Sequence, residues 1–423
     1  MFKFRNFGLA ACLLAAASLS APAQQALTWE EVRLRFERSN PTLLADKLAI
    51  DEAKAQEITA YLRPNPGFTL TADGTQIAPE KGVWRPLSGT FESPGVNYLH
   101  EREHKRELRL ESAKKGTLIA ESSHADLERT LLFDLRGAFV SVLQAKAVLQ
   151  LAKDNLEYYD HVLKISKDRF DAGDIAQIDF DRLEMQRVQY ESDLQTAEVS
   201  LRTSKIQLLT LLNERAPVEQ FDVSGPFDFN DQLLPLEEFR KAAMDTRPDL
   251  KAAVEAVSKA QTDHKLAVAN GSTDPTFGAW YTHNSSTNNP FGVNTLGVSV
   301  NIPLRIFDRN QGEKLRTDID IRRNEKLRDA AEAAVLSDVD SSYATLNSTL
   351  ILLQPYKARY LQQSVRVRDT VFFSYQHGGA SLLDFLSAQG EYRTVQLAYV
   401  NLVGSYLSAA SQLNLAVGRE VIP

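Results

Sequence analysis

The sequence predicts a mixed α/β fold in which long helical hairpins are joined to four short amphipathic strands. Three observations lead to this prediction. One pattern of segments occurs twice, each copy holds a long stretch almost free of proline, and each copy holds segments in which apolar and polar residues alternate. Repetition at a fixed spacing indicates an internal duplication, and alternation with a period of two indicates strands with one apolar face.

The first 23 residues have the pattern of a secretory signal peptide: a basic start, an apolar core and a small-residue cleavage site that ends at Ala23. We therefore expect a mature chain that begins near Gln24, outside the cytoplasm. The single cysteine, Cys12, falls inside this segment, so the mature protein would have neither a disulfide nor a thiolate metal site. The residues around Cys12 also resemble a lipoprotein box, which leaves lipidation open.

The charge of the chain is acidic, with 48 basic and 55 acidic side chains and a net charge of −7. Loss of the signal peptide removes two basic residues and makes the chain more acidic still. Negative charge argues against nucleic acid as a partner. After Ala23 there is no run of 18 apolar residues, so the sequence predicts no transmembrane helix.

Three pairs of segments reveal the duplication, each pair spaced by about 205 to 209 residues. They are WEEVRLRFERSNPTL and LEEFRKAAMDTRPDL (from Trp29 and Leu236), NPGFTL and DPTFGA (from Asn65 and Asp274), and FDAGDIAQIDF and YQHGGASLLDF (from Phe170 and Tyr375). We therefore divide the mature chain into a first structural repeat, residues 24–226, and a second, residues 227–423. Each repeat has a helix, two strands and a long helical hairpin in the same order.

Each repeat opens with one predicted helix, over residues 28–62 and 236–269, which ends before an asparagine- or aspartate-proline pair. Two strands follow in each repeat, near residues 66–98 and 275–303. They are recognised by alternation, and a polar turn separates the two members of each pair.

The aromatic residues Trp280 and Tyr281 lie together in the third strand. Transmembrane barrels carry girdles of aromatic side chains at both membrane interfaces. We interpret both residues as part of such a girdle.

Long helices are predicted after the strands, over residues 112–172 and 310–376. Roughly 60 residues without proline make a helix of ~90 Å, whereas Pro355 predicts a kink or break in the second one. Each long helix ends at a glycine turn, Gly173 or Gly378, and a returning helix begins just after it. Both returning helices carry apolar heptads in the same register, which predicts coiled-coil packing of both hairpins.

Four amphipathic strands cannot close a barrel, since eight is about the smallest number observed. Open strand edges in lipid would leave backbone groups unpaired. If the strands span a membrane, the chain must therefore oligomerise. A small soluble sheet that caps a helical bundle explains the alternation equally well.

The duplicated order resembles that of the TolC-like outer-membrane efflux proteins, the outer-membrane factor family. The most specific segments are RFDAGDIAQIDFDRLEMQ, SYQHGGASLLDFLSAQ and LGVSVNIPL, which begin at Arg169, Ser374 and Leu296. The resemblance implies a homotrimer in the lipid of the cell outer membrane, with a 12-stranded transmembrane β-barrel and an α-barrel of helices that crosses the periplasm. It also implies a passive export duct, driven by an inner-membrane pump through a periplasmic adaptor (membrane fusion) protein. The segment LRPNPGF resembles the branch that exports heavy-metal cations, so the cargo would be these cations or small toxic compounds.

The same resemblance implies roles at the hairpin ends. Gly173 and Gly378 would mark the tips where the adaptor docks, and Asp384, Tyr375 and Asp179 would form the gate at the periplasmic aperture. Carboxylates repeated by threefold symmetry would make an anionic ring. The two aspartates can also be read as caps of the first turns of their helices, where carboxylates are favoured.

The chain departs from the family pattern at two gate positions. Ala380 stands where a basic residue is common, two positions after the glycine, and Ser387 replaces a second aspartate. We therefore expect a looser closed gate than in better-known members.

The segment HEREH, from His100 to His104, matches the zinc-protease motif H-E-x-x-H, in which Glu101 would be the general base. Its neighbours are charged, whereas a zinc-protease helix lies in a buried cleft, so we interpret the match as accidental. The sequence otherwise shows no phosphate loop, nucleophile motif or cofactor fingerprint, and we predict no enzymatic activity, no cofactor and no metal site. Two alternatives to efflux stay open: a conduit for type I protein secretion and a soluble periplasmic coiled-coil scaffold.

Overall fold

The computed structural model describes residues 26–87, 89–284 and 293–422. The predicted signal peptide lies outside these residues, as does most of the polar turn between the last two strands. The elements in chain order are α1 (Trp29–Ser39), α2 (Pro41–Tyr61), β1 (Gly67–Asp73), β2 (Phe91–Leu99), α3 (Lys105–Asp171), α4 (Gln177–Leu211), α5 (Leu236–Thr246), α6 (Pro248–Asn270), β3 (Thr276–Asn284), β4 (Asn294–Asn301), α7 (Gln311–Pro355), α8 (Leu361–Gln376) and α9 (Leu382–Val417). The mixed fold of helical hairpins and four strands is thus confirmed.

The opening helix of each repeat is two helices, so the prediction of one continuous helix was wrong. The breaks fall at Asn40 and Arg247, which both have extended backbone, with ψ of 115° and 122°. Each of these residues precedes a proline, Pro41 or Pro248, which disfavours the helical conformation of the residue before it and serves well as the first residue of the next helix.

The long helix of the first repeat is unbroken, as predicted, and α3 runs for 67 residues, about 100 Å. It begins at Lys105, earlier than predicted. In the second repeat the break at Pro355 is confirmed. There α7 ends, and residues Tyr356–Tyr360 form a π-helical turn before α8. Proline has no backbone N–H, so it cannot donate a hydrogen bond to the carbonyl four residues earlier in the helix. The missing hydrogen bond explains the position of the break.

The returning helices α4 and α9 bury their predicted heptad seams against the long helices. Seam side chains that are buried include Tyr190, Ala197 and Leu208 in α4 and Tyr406, Ala409 and Leu413 in α9. A further buried cluster near the hairpin ends contains side chains of both repeats, among them Tyr159, Leu183, Tyr375 and Phe385. This cluster holds the two hairpins side by side.

The four strands form one antiparallel sheet in the order β1-β2-β3-β4, so β1 and β4 are its edges within a single chain. One face is mainly apolar and includes Phe68, Leu70, Val96, Phe277, Tyr281, Leu296, Val298 and Val300. The other is mainly polar and includes Thr69, Thr71, Ser93, Asn97, Thr282, Thr295 and Ser299. Among the described residues, no helix is both long and apolar enough to cross a lipid bilayer.

Candidate functional site

The tip of the first hairpin is a glycine turn between α3 and α4. Gly173 has φ of +84°, a left-handed conformation that a side chain would strain. Its amide donates to the carbonyl of Phe170 at 2.9 Å, and the amide of Asp174 donates to that of Arg169 at 2.8 Å. The turn therefore provides hydrogen-bond donors for the last backbone carbonyls of α3. Gly173 itself is exposed at the end of the hairpin.

The tip of the second hairpin repeats this geometry. Gly378 has φ of +73°, and the next amide, of Gly379, donates to the carbonyl of Ser374 at 2.8 Å. A side chain at either turn glycine would meet no other atom within 4 Å. Backbone conformation, not crowding, thus accounts for both glycines.

Asp384 caps its own helix. The hydroxyl of Ser381 donates to the Asp384 carboxylate at 2.7 Å and the Ser381 amide does so at 3.0 Å, while the Asp384 amide donates to the hydroxyl at 3.2 Å. This is a capping box. The hydrogen bonds from the side chain and backbone of Ser381 hold the pKa of Asp384 below its ordinary value. The carboxylate stays exposed on the end of α9.

Asp179 lies in the first turn of α4 but does not cap it. The cap position is Ala176, which has no side-chain acceptor. The Asp179 carboxylate is instead 3.7 Å from the guanidinium of Arg182, on the next turn of the same helix. The cap interpretation therefore holds for Asp384 and is wrong for Asp179, because alanine replaces the serine that completes the box in the second repeat.

Tyr375 is buried between the hairpins, only 7% exposed. Its ring stacks on Phe385 with 5.4 Å between centroids. Arg169, from the last turn of α3, donates to the Tyr375 carbonyl at 3.2 Å and places its guanidinium 5.4 Å from the ring centroid. Burial raises the pKa of the phenol, and the positive charge of Arg169 opposes part of this rise. The structure thus brings Arg169 of the first hairpin onto Tyr375 of the second, whereas the Asp179 carboxylate lies near Arg182 of its own helix.

Two further cations join the hairpins away from the tips. Arg368 of α8 lies between the rings of Tyr158 and Tyr392, at 4.4 and 4.2 Å from their centroids. Arg393 of α9 pairs with Asp193 of α4 at 3.0 Å. Sequence reasoning missed these arginines and Arg169. Their only signal is an arginine near an aromatic residue in a heptad helix, which is common in helices that have no such role.

The HEREH segment does not form the helix that a zinc-protease motif requires. Helix α3 begins at Lys105, after both histidines, and Glu103 and His104 have φ of 55° and 53°. Glu101 is engaged by the guanidinium of Arg109, with contacts of 2.5 and 2.9 Å. Across the part of the chain that the structure describes, no group of three or more histidine, aspartate or glutamate side chains is placed to hold a metal ion.

Trp280 and Tyr281 do not share one environment, so their joint assignment to a membrane girdle was wrong. Successive residues of a strand point to opposite faces of the sheet. Tyr281 pairs with Leu296 on the apolar face, whereas Trp280 pairs with Gly95 and Gly297 on the polar face.

Comparison with known proteins agrees with the duplicated architecture. Residues 35–214 and 240–419 each match the profile of the family described as outer membrane efflux protein. The cobalt-zinc-cadmium resistance protein CzcC of Cupriavidus metallidurans is 22% identical over 389 residues, 90% of this chain and 87% of that protein. The pyoverdine export outer membrane protein OpmQ of Pseudomonas aeruginosa is 26% identical over 328 residues, 74% and 66% of the two chains. The crystal structure of CusC, described in terms of folding and transmembrane channel formation, has a TM-score of 0.77 at 16% identity and covers 92% of both chains.

Proposed function

The chain belongs to the outer membrane efflux protein family, and on this premise we propose that it is the passive outer-membrane duct of a tripartite efflux system. Members of this family are transport channels of the outer membrane, with a barrel of strands and a helical tunnel in the periplasm. The energy would come from an inner-membrane pump, through a periplasmic adaptor. The observation that carries the proposal is the sheet, which has one apolar face, one polar face and two open edges.

The open edges support a homotrimer. Among the described residues, β1 and β4 each have a neighbouring strand on one side only, and in lipid the backbone groups on the other side must be paired. Three copies would join β4 of one chain to β1 of the next and close a barrel of twelve strands. The apolar face would then contact lipid and the polar face would line the lumen.

The contacts between the hairpins support a gate at the tips. In this proposal the tips at Gly173 and Gly378 receive the adaptor, and Tyr375, Asp179 and Asp384 form the periplasmic aperture. The contact of Arg169 with Tyr375 ties the two hairpins together at that end. Arg169 would thus supply a cation on the first hairpin. In the family pattern a basic residue is instead common on the second hairpin, at the position of Ala380.

The cargo is proposed to be heavy-metal cations or small toxic compounds. CzcC is a protein of cobalt, zinc and cadmium resistance, which favours the first class. OpmQ exports pyoverdine and matches the chain with similar identity, which favours a small organic molecule.

The duct is tested by recording the current of the detergent-purified protein in planar lipid bilayers, after cross-linking has given its number of subunits. We expect a cross-linked trimer and stable channels of low conductance. Arg169→Ala should raise the conductance because it removes the contact between the hairpins. Lys167→Ala is the matched control, since Lys167 pairs within its own helix, with Asp171 at 3.4 Å.

Asp384→Ala should raise the conductance too if the carboxylate contributes to the aperture as well as to its cap. Equal conductance of this variant and the wild type would leave Asp384 as a helix cap alone. A protein that stays soluble without detergent and forms no channels would reject the duct and favour a periplasmic scaffold.

A further inference from the structure

Trp280 is an aromatic residue on the face of the sheet where hydroxyl-bearing, amide-bearing and glycine residues predominate, and the other large apolar side chains of this face, Phe91 and Leu99, lie at the two ends of β2. Its register partners are Gly95 on β2 and Gly297 on β4. Two residues along its own strand, Thr282 is hydrogen-bonded to Ser93 at 2.7 Å between hydroxyl oxygens. Trp280 as a residue is 38% exposed, so it is available to a molecule on the polar side of the sheet.

The glycines beside Trp280 make room for the ring to lie along the wall. A Cβ atom built on Gly297 would be 2.3 Å from the Trp280 ring, and one built on Gly95 would be 3.0 Å from the Trp280 Cβ. Real Cβ atoms do not approach other atoms as closely as the first distance, and the second would require Trp280 to move by a few tenths of an ångström. The ring therefore lies over Gly297, with one side packed on the backbone and the rest open.

The wall around the ring is neutral. Over the described strands, the polar face carries no lysine or arginine, and its one carboxylate is Asp73 at the far end of β1. Threonine, serine and asparagine side chains make up most of the rest. Charge therefore gives this stretch little selectivity, and the indole face is its most distinctive binding feature.

We propose that Trp280 is a cargo-contact site in the pore wall that binds small organic cations and aromatic compounds. This inference rests on the proposed duct, since the polar face becomes the lumen only when the barrel closes. Three copies then present three indole rings at one level of the pore. An indole face attracts cations, quaternary ammonium groups above all, and stacks with aromatic rings. Of the two proposed cargo classes, the site therefore fits small organic compounds, because hydrated metal ions gain little from an aromatic face.

A purely structural role makes a different prediction. An aromatic side chain that covers a glycine on a neighbouring strand stabilises the sheet without any ligand. In that case removal of the ring would weaken the barrel and leave its interaction with passing molecules unchanged. The two roles are separated by measuring a ligand effect in channels that are already formed.

The experiment is current block by benzyltrimethylammonium, an aromatic quaternary cation, in planar bilayers. Trp280→Leu removes the aromatic face and keeps apolar bulk, while Tyr281→Leu makes the same change one residue away on the apolar face. We expect Trp280→Leu to raise the half-blocking concentration by about two- to fivefold and Tyr281→Leu to leave it unchanged. Equal block of wild type and Trp280→Leu, or equal shifts in the two variants, would overturn the proposal.

A second measurement tests which side the ring faces without relying on block. Replacement of Trp29 and Trp84 by phenylalanine leaves Trp280 as the sole tryptophan. We expect iodide in water to quench its fluorescence and brominated lipid to have little effect. A chain with Trp280→Phe and Tyr281→Trp should show the reverse. Quenching of Trp280 by brominated lipid would reject the site but leave the duct standing, whereas an absence of current in every variant would reject both.

Discussion

The two repeats share one plan but differ at corresponding positions. The junction between the two opening helices, which we call the elbow, lies at Asn40 in the first repeat and at Arg247 in the second. The long helix is continuous in the first repeat and interrupted after Pro355 in the second. The returning helix has a capping box only in the second. The two repeats thus share the order of elements, while the second hairpin alone has an interrupted long helix and a capping box at its tip.

The largest expected difference lies at the elbows. Arg247 is 4% exposed and donates to Asp249 at 2.5 and 2.9 Å, to Asp338 at 2.8 Å and to the Ala416 carbonyl at 3.2 Å. Arg247→Ala would leave these acceptors without their cation, but the Asp249 and Asp338 side chains are 31% and 52% exposed and regain water. It should therefore lower the free energy of unfolding by about 3 kcal/mol, the low end of the cost of breaking a buried ion pair. The matched Asn40→Ala loses a cap of the Leu43 amide and should cost about 1 kcal/mol. Thermal unfolding in detergent measures both, and equal losses would show that the buried cation contributes no more than the asparagine cap.

The same elbow predicts a dependence on pH. Burial alone would raise the pKa of Asp249, but the hydrogen bonds and charge of Arg247 outweigh it and lower that pKa. Because folding lowers this pKa, the Arg247–Asp249 pair contributes its full stability above the pKa of the unfolded chain, about 3.9. That stability is lost as the pH falls through the pKa of the folded protein. Below about pH 4 the wild type should therefore lose stability more steeply than Arg247→Ala. Parallel curves would contradict this assignment.

The continuous first hairpin can be made to resemble the second. Gln150 of α3 corresponds to Pro355 and is exposed, so Gln150→Pro changes the backbone without removing a core contact. We expect a loss of about 3 kcal/mol, since α3 has no π-helical turn to absorb the proline. The matched Gln150→Ala should be nearly neutral, and Pro355→Ala should be neutral or stabilising. Hydrogen exchange along the two helices would locate the effect, and a neutral Gln150→Pro would show that both hairpins tolerate a break.

At the hairpin tips, the capping serine can be removed from one repeat and introduced into the other, with smaller expected changes in stability. Ser381→Ala should cost about 1 kcal/mol, because it removes the hydroxyl that caps the Asp384 amide. Ala176→Ser restores the same spacing of serine and aspartate before α4 and should stabilise that hairpin by about 0.5–1 kcal/mol with Asp179 as its partner. If Ala176→Ser has no effect while Ser381→Ala does, the conformation of the first tip, not its missing hydroxyl, keeps Asp179 away from the cap.

Much of the fold could be predicted because it depends on local patterns. The glycine turns at Gly173 and Gly378, the break at Pro355 and the alternation in the strands each need only a few neighbouring residues. The elbows were missed although Pro41 and Pro248 were visible, because the helical pattern continues on both sides of each proline.

The site was less predictable, since it depends on contacts between distant residues. The partnership of Arg169 with Tyr375 joins positions 206 residues apart. The face that Trp280 occupies follows from strand register and from glycines on two other strands. Neither can be read from spacing along the chain. Asp384 was assigned to the gate from family resemblance and alternatively to a helix cap, and Ser381 three residues earlier is the signal that separates its cap from the uncapped Asp179.

The smallest expected difference lies where the long helices begin. His104 and Asn310 precede α3 and α7 with φ of 53° and 59°, a conformation that asparagine tolerates better than histidine. Asn310 also donates its side-chain amide to the Ala267 carbonyl at 2.7 Å, whereas the His104 side chain makes no capping hydrogen bond. His104→Gly should therefore stabilise the protein by about 0.5–1 kcal/mol. Asn310→Gly relieves less strain and loses a hydrogen bond, so it should be neutral or destabilising. The sign of the two changes in thermal unfolding is the test, and a loss of stability in His104→Gly would mean that the imidazole supports the start of α3.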